Sequence, residues 1–294
     1  MSNKEKFDCY HMIGCMSGTS VDGIDLAYVR FQKTDEWTFQ ILATRTISYS
    51  KGWKKKLNRA IKLTPTELEK LNKDYTGFLG TTIIEFINYE KIELLDAVAS
   101  HGHTVIHQPN KGLTLQIGNL GFLADRIGCT VVCDFRVQDI DLGGQGAPLV
   151  PVGDIMLFKN HMAYLNLGGF SNISIFQNGS IIAFDICAVN TVLNFLANRL
   201  DLPYDDGGKI AAKGKIVAAL LEQLNKLHFY SKEPPKSLGI EWVNETVFTI
   251  FKDYENEDTQ NLLYTYTQHI AEEIAKFLPK KGLVMITGGG AYNS

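Results

Sequence analysis

The chain has 294 residues, of which 45% are hydrophobic, and a formal net charge of -3. That is length and apolar content for two cored domains, with no basic surplus to drive nucleic-acid binding. The N-terminus lacks an apolar signal-like segment, and no run approaches the ~18 apolar residues of a membrane span. A cytoplasmic protein without membrane or nucleic-acid partners is expected.

Two apolar runs, His11-Met12-Ile13 and Leu26 to Phe31, read as strands around the segment Gly14 to Asp25. Gly18 and Gly23 permit positive φ and close backbone approach. Ser17, Thr19 and Ser20 add hydroxyls to the turn's N–H groups, a donor set suited to phosphate oxygens. Asp22 and Asp25 would repel bare phosphate and make sense with a divalent cation between; the alternative is a polar hairpin turn. A turn at Lys33 to Glu36 leads to a third strand, Trp37 to Ile47. The lysine-rich stretch Lys51 to Lys73, interleaved with Trp53, Leu57, Ile61 and Leu63, reads as a helix with a solvated face. Thr64-Pro65-Thr66-Glu67 is a capping-box sequence with proline at the first helical position. Leu68, Leu71, Tyr75, Phe78, Leu79, Thr82 and Phe86 then recur at helical spacing as one buried stripe.

Leu94 to Ser100 is a strand running into His101-Gly102-His103-Thr104. Alternation would put His101 and His103 on one face, as a zinc pair requires, but no Asp, Glu or Cys lies nearby to complete the coordination. A polar loop in which Thr104 and His107 hydrogen-bond a sugar-like substrate is the better reading. Cys129 and Cys133 flank a run read as a buried strand. With five scattered cysteines and no C-x-x-C pair, they read as reduced core residues. Arg136 offers a planar fork for a carboxylate or phosphate, or an ion pair with Asp134 or Asp139. The glycine loop Leu142 to Pro148 suits close approach to a ligand, or a hinge.

The second half repeats the opening in outline. Met162 to Leu167 is a strand, Gly168 to Asn172 a glycine turn, and Ile173 to Phe176 its partner; Asn178-Gly179 signals a hairpin into Ser180 to Asp185. Helices follow, one with Val192, Leu193, Leu196 and Leu200 on a face, another over Thr259 to Leu278. Leu283 to Thr287 makes a short buried strand ending in Gly288-Gly289-Gly290. Two units facing each other would place two phosphate turns across one cleft, with the third glycine cluster under a base or ribose. The expected domains are 1–134, with the first phosphate turn, and 135–294, with the second. Asp185, at the end of a strand, suits either a general base or a helix N-cap, and both stay open; for Asn190 the cap is the better reading.

In family order, several segments resemble the anhydro-N-acetylmuramic acid kinases of bacterial cell-wall recycling. They are Met16 to Asp25, Ser100 to Thr104 with His107-Gln108-Pro109, Leu115 to Gly118, Asp134-Phe135-Arg136 and Gly143 to Pro151. Asn166 to Gly169, Phe184-Asp185 with Asn190, and Thr287 to Ala291 complete the set. The resemblance implies an α/β, actin-like ATPase fold, shared with sugar kinases and heat-shock ATPases: two ribonuclease H-like domains around a central cleft, C-terminally short here. It implies ATP- and Mg2+-dependent opening of the 1,6-anhydro ring with phosphorylation of the 6-oxygen, giving N-acetylmuramic acid 6-phosphate and ADP. Carried over, Gly18, Thr19, Ser20, Val21, Asp22, Gly23, Ile24 and Asp25 would embrace the ATP phosphates, with Asp22 on the magnesium. Gly168 and Gly169 would form the second phosphate turn, and Gly288, Gly289 and Gly290 would lie near adenosine. Asp185 would be the base that activates water, while Thr104, His107 and Arg136 would hold the anhydro amino sugar. Family members are commonly dimers, which implies a homodimer. Two departures stand out. Asp185-Ile186-Cys187-Ala188 replaces the Asp-Thr-Gly-Pro common in relatives, and the chain stops at Asn293-Ser294, where the family normally continues with an acidic residue of the substrate site. The competing expectations are a nucleotide-binding, non-catalytic remnant and a kinase of the same fold for another amino sugar.

Overall fold

The computed structural model describes residues 8–18, 21–108, 111–177 and 180–293. Thr19 and Ser20 of the first glycine turn, Pro109 and the Asn178-Gly179 hairpin tip lie outside the described residues. The chain divides into two compact units, Met1–Leu157 and Phe158–Ser294, which counts 135–157 with the first unit.

The first unit opens with a meander, β1 (Asp8–Ser17), β2 (Gly23–Lys33) and β3 (Trp37–Ser48). α1 (Lys51–Arg59) ends in a 3-10 turn, and α2 (Pro65–Tyr89) starts at the expected capping box: Thr64 Oγ1 accepts from the Glu67 N–H while Glu67 Oε2 accepts from the Thr64 N–H. β4 (Ala97–Gln108), β5 (Leu113–Ile117), α3 (Phe122–Ile127), β6 (Thr130–Val132), α4 (Phe135–Asp141) and α5 (Val150–Leu157) complete it. The sheet order is β3-β2-β1-β4-β5, with β6 also on β4; β1 is antiparallel to β2 and parallel to β4. α2 covers one face. Its Leu71, Tyr75, Leu79, Ile83 and Phe86 pack on Ile13, Cys15, Ile24 and Leu26, the inward positions of the pleat.

The second unit repeats the plan: β7 (His161–Leu167), β8 (Phe170–Gln177) and β9 (Ser180–Ala188), then α6 (Asn190–Ala197), α7 (Ala218–Asn225) and α8 (Ile240–Trp242). α8 passes through a π-helical turn into α9 (Phe248–Lys252), followed by α10 (Thr259–Ala275) and β10 (Leu283–Thr287). The sheet order β10-β7-β8-β9 and its strand senses match β4-β1-β2-β3. Its core gathers Ala163, Leu165, Ile173, Phe184, Leu196, Leu262, Tyr266 and Ile270. This duplicated order agrees with the two ribonuclease H-like units expected from the sequence.

Several sequence expectations are corrected. The His101–Thr104 segment is not a loop but the middle of β4. His101 and His103 do not share a face: Gly102 has φ +69, the β1–β4 register slips there, and only His103 enters the aromatic core beside Tyr75. β6 and β10 are not buried strands; Val132, Leu283 and Ile286 stand exposed, as do Ile61 and Leu200. Cys129 and Cys133 are free but half-exposed rather than core.

Candidate active site

The first glycine turn joins β1 to β2. The Val21 N–H donates to Gly18 O (3.2 Å), and the Tyr49 N–H donates to Asp22 O (3.2 Å). Gly23 lies against β3 so closely that a Cβ would come 2.5 Å from Ile47 O, so no other residue fits. Val21 has φ +55, a region that costs a β-branched residue about 1–3 kcal/mol. The side chains of Val21 and Ile24 are buried in the core, which leaves only their backbone for a ligand. Asp22 and Asp25 are exposed, and Asp25 Oδ1 accepts from Thr46 Oγ1 (2.6 Å). Ser17, expected as a phosphate donor, instead turns inward: it is 1% exposed and bonded to Tyr49 and Tyr75.

No group of three or more metal-ligating side chains forms among the described residues. A magnesium ion bound through one or two carboxylates and substrate phosphates needs none, so Asp22 and Asp25 fit that role.

Arg136, at the start of α4, meets neither Asp134 nor Asp139 as an ion pair. Its Nε donates to His101 Nε2 (2.9 Å) and its Nη1 to Gly146 O (2.8 Å), while Asp139 Oδ2 accepts from the Gly146 N–H. Burial, reinforced by the Arg136 charge, lowers the pKa of both His101 and His107, so these rings stay neutral beside the guanidinium. Thr104 Oγ1 accepts from Gln116 Nε2 (3.3 Å), and His107 Nδ1 lies 3.3 Å from Thr114 Oγ1. The fold thus gathers His101, His107 and Arg136 in one neutral-to-cationic patch. His101 was missed as a site residue although ordinary alternation with Ala99 already puts it on the cavity face; the Gly102 irregularity acts on His103, which it turns into the core beside Tyr75. Asn119, which bonds Ser100 and Asp134 and props this region, carries no motif that could have flagged it. Next to the patch a cavity of about 1030 Å³ runs along the sheet face opposite α2, from Met16, Asp25 and Thr46 to His101, Gln138 and Asp139.

In the second unit, Gly168 and Gly169 form the turn between β7 and β8. Their carbonyls accept from the N–H groups of Val189, Asn190 and Thr191, which seats the start of α6 on the turn. Val189 is the N-cap, so Asn190 is not the cap; its Nδ2 donates to Leu167 O (3.2 Å). The Gly288–Gly290 cluster rests on the same spot: a Cβ on Gly288 would come 2.6 Å from Leu167 C, and one on Gly290 2.8 Å from Leu167 Cβ. The two glycine clusters are therefore brought together. Nearby, a cavity of about 310 Å³ is lined by Gly208, Tyr264, Thr267, Gln268 and Asn293, and the Thr267 hydroxyl is buried there without a partner.

Asp185 lies inside β9, three residues short of its end, which removes the N-cap alternative. The register pairs Asn172 with Asp185 but Ser171 with Cys187, so Ile186 is the extra residue of a bulge. The segment after Pro235 covers the free edge of β9: the Asp185 N–H donates to Lys236 O (2.9 Å), and the Leu238 N–H donates to Asp185 Oδ2 (2.8 Å). Burial raises the pKa of this carboxyl, and the Leu238 donor only partly opposes the shift. A carboxylate held by one amide and partly stripped of water is chemically a base.

No helix among the described residues is long and apolar enough to cross a membrane. A family model described as anhydro-N-acetylmuramic acid kinase matches residues 10–294. The anhydro-N-acetylmuramic acid kinase of Bacillus cereus (strain 03BB102) is 32% identical, over 97% of this chain and 81% of that protein. That of Acinetobacter baylyi is 33% identical, over 96% and 81%. Among solved structures, an ROK hexokinase from Thermus thermophilus aligns over 98% of this chain and 84% of its own, with 11% identity and a TM-score of 0.33.

Proposed function

The chain belongs to the anhydro-N-acetylmuramic acid kinase family, and from that premise we propose how its residues divide the work. The reaction is ATP-dependent: water adds at the anomeric carbon of 1,6-anhydro-N-acetylmuramic acid, the C1–O6 bond breaks, and O6 takes the γ-phosphoryl group. N-acetylmuramic acid 6-phosphate and ADP are the products.

Asp185 takes the proton from the attacking water at its carboxylate. Its burial and single amide donor support that assignment, because they keep the group a stronger base than a solvated aspartate. The backbone of Gly18 to Asp25 holds the phosphates, with Gly168 and Gly169 as the second turn. Asp22 would hold Mg2+, which when bound would neutralise charge on the phosphate oxygens. Arg136, fixed by His101 and Gly146, presents a cation to the lactyl carboxylate, with Thr104 and His107 on the sugar hydroxyls. Gly288 to Gly290 and the small cavity beside them receive adenosine, which would supply a partner for the buried Thr267 hydroxyl. Cytoplasmic location, a homodimer and the lack of a nucleic-acid partner belong to the same reading.

The observation that carries this is Asp185 held inside β9. The test is a coupled assay of ADP release over a panel of anhydro and open amino sugars. Release only with the anhydro sugar supports the reading. Equal release with an open amino sugar overturns the ring-opening assignment in favour of another amino-sugar kinase.

A further inference from the structure

Beneath the first glycine turn lies a closed ring of three buried hydroxyls that the reaction does not use. Ser17, Tyr49 and Tyr75 are 1%, 5% and 0% exposed. Ser17 Oγ lies 2.6 Å from Tyr49 Oη, and Tyr49 Oη lies 2.5 Å from Tyr75 Oη. The Tyr75 hydroxyl donates to Ser17 Oγ at 2.8 Å, which fixes the sense of the ring: Ser17 donates to Tyr49 and Tyr49 to Tyr75. Each oxygen gives one hydrogen bond and receives one, so the network is satisfied without water. His103 Nδ1 stands 3.4 Å from Ser17 Oγ, and burial holds this imidazole at a pKa of about 4, hence neutral and able to donate into the remaining Ser17 lone pair.

The three members come from three elements: the last residue of β1, the link between β3 and α1, and the middle of α2. Tyr49 bonds both ends of the glycine turn. Its hydroxyl meets Ser17, just before Gly18, and its backbone N–H donates to Asp22 O on the far side. Between those anchors lies Val21 in its left-handed conformation, which persists only where the surroundings over-determine it. Packing does not call for the hydroxyls: Tyr49 and Tyr75 sit among Trp53 and Phe78, where phenylalanine rings would bury equally well.

We infer that Tyr49 and Tyr75 are positioning residues for the phosphate-binding turn, clamping its two ends through the Ser17 hydroxyl and the Asp22 carbonyl. The inference rests on the reading of Gly18 to Asp25 as the phosphate grip. It is tested with Tyr49→Phe, Tyr75→Phe, Ser17→Ala and Ser17→Thr, measuring the Kd for MgATP by calorimetry, KM for each substrate and the melting temperature. The two phenylalanine variants and Ser17→Ala should weaken MgATP binding about fivefold to tenfold, the effect of one lost hydrogen bond. KM for the sugar should stay within about twofold, and Ser17→Thr, which keeps the hydroxyl, should bind MgATP as the parent does. MgATP affinity unchanged in folded Tyr49→Phe and Tyr75→Phe overturns the clamp, as does an equal rise in both KM values. Asp22→Asn separates the layers: if it weakens MgATP binding while the tyrosine variants do not, the phosphate reading stands and the clamp falls. If Asp22→Asn has no effect, both fall.

Discussion

A half-buried carboxylate serves chemistry at the expense of stability, and Asp185 shows the sign of both. Its folded-state pKa lies above the ~3.9 of an unfolded aspartate. The stabilising contribution of such a group is therefore present below the unfolded value and lost as pH rises through the folded one. At pH 7 the ionised carboxyl weakens the fold, whereas an asparagine could still accept from the Leu238 N–H. Asp185→Asn should lower kcat at least ~100-fold, yet melt at the same temperature as the parent or higher at pH 7, with the difference shrinking toward pH 4. A lower melting temperature at pH 7 would show that the charge is better paired than its surroundings indicate. The parent's acidic limb in kcat/KM should fall at a pH above that of an ordinary aspartate. The sequence could nominate this residue, because a strand followed by a helix frames it. It could not place it mid-strand, since the Ile186 bulge against Ser171 and Asn172 breaks the alternation and the covering Lys236–Leu238 segment comes from more than fifty residues away. The inward turn of Ser17 was hidden for a related reason, as pleat parity decides it and the glycine segment admits either.

Periodicity was legible in the sequence where an element packs against one neighbour. α2 announces itself through its capping box and its stripe from Leu71 to Phe86. α7, α8 and α9 gave no such signal: they are short and broken by 3-10 and π turns. β4 was cut short in the reading because Gly102 and the histidines look like a loop, yet the strand absorbs the irregularity as a local slip. A Cβ at Gly102 would meet Ile117 O at 2.7 Å in a backbone region that disfavours L side chains. Gly102→Ala should cost about 1–3 kcal/mol in urea denaturation. It should also raise KM for the sugar more than KM for ATP, because His101 and Thr104 flank the slip. Equal KM values in variant and parent would detach this strand from sugar recognition.

The repeated strand–turn–strand plan was visible along the chain, and the duplicated sheet order explains it: each unit has its own core and its own glycine turn. Sequence spacing could not supply the order itself, because β4 reaches β1 across α1 and α2, and β10 reaches β7 across α6 to α10. With two separate cores, scanning calorimetry should resolve two overlapping transitions. MgATP at about a hundred times its Kd should stabilise by about 2.7 kcal/mol. If both glycine turns grip one nucleotide, both transitions move; movement of one alone would confine the nucleotide to that unit.

β10 pairs with β7 on one side and with nothing on the other among the described residues, and it leaves Leu283 and Ile286 in solvent. Such a border is adhesive: its spare amides and carbonyls can zip onto any extended peptide, including their own kind in a crowded solution. Purified material should therefore scatter more light as it is concentrated, and lysines at 283 and 286 should keep it clear. The same strand that leads into Gly288 to Gly290 would then set the practical ceiling on how strong a solution of this enzyme can be made.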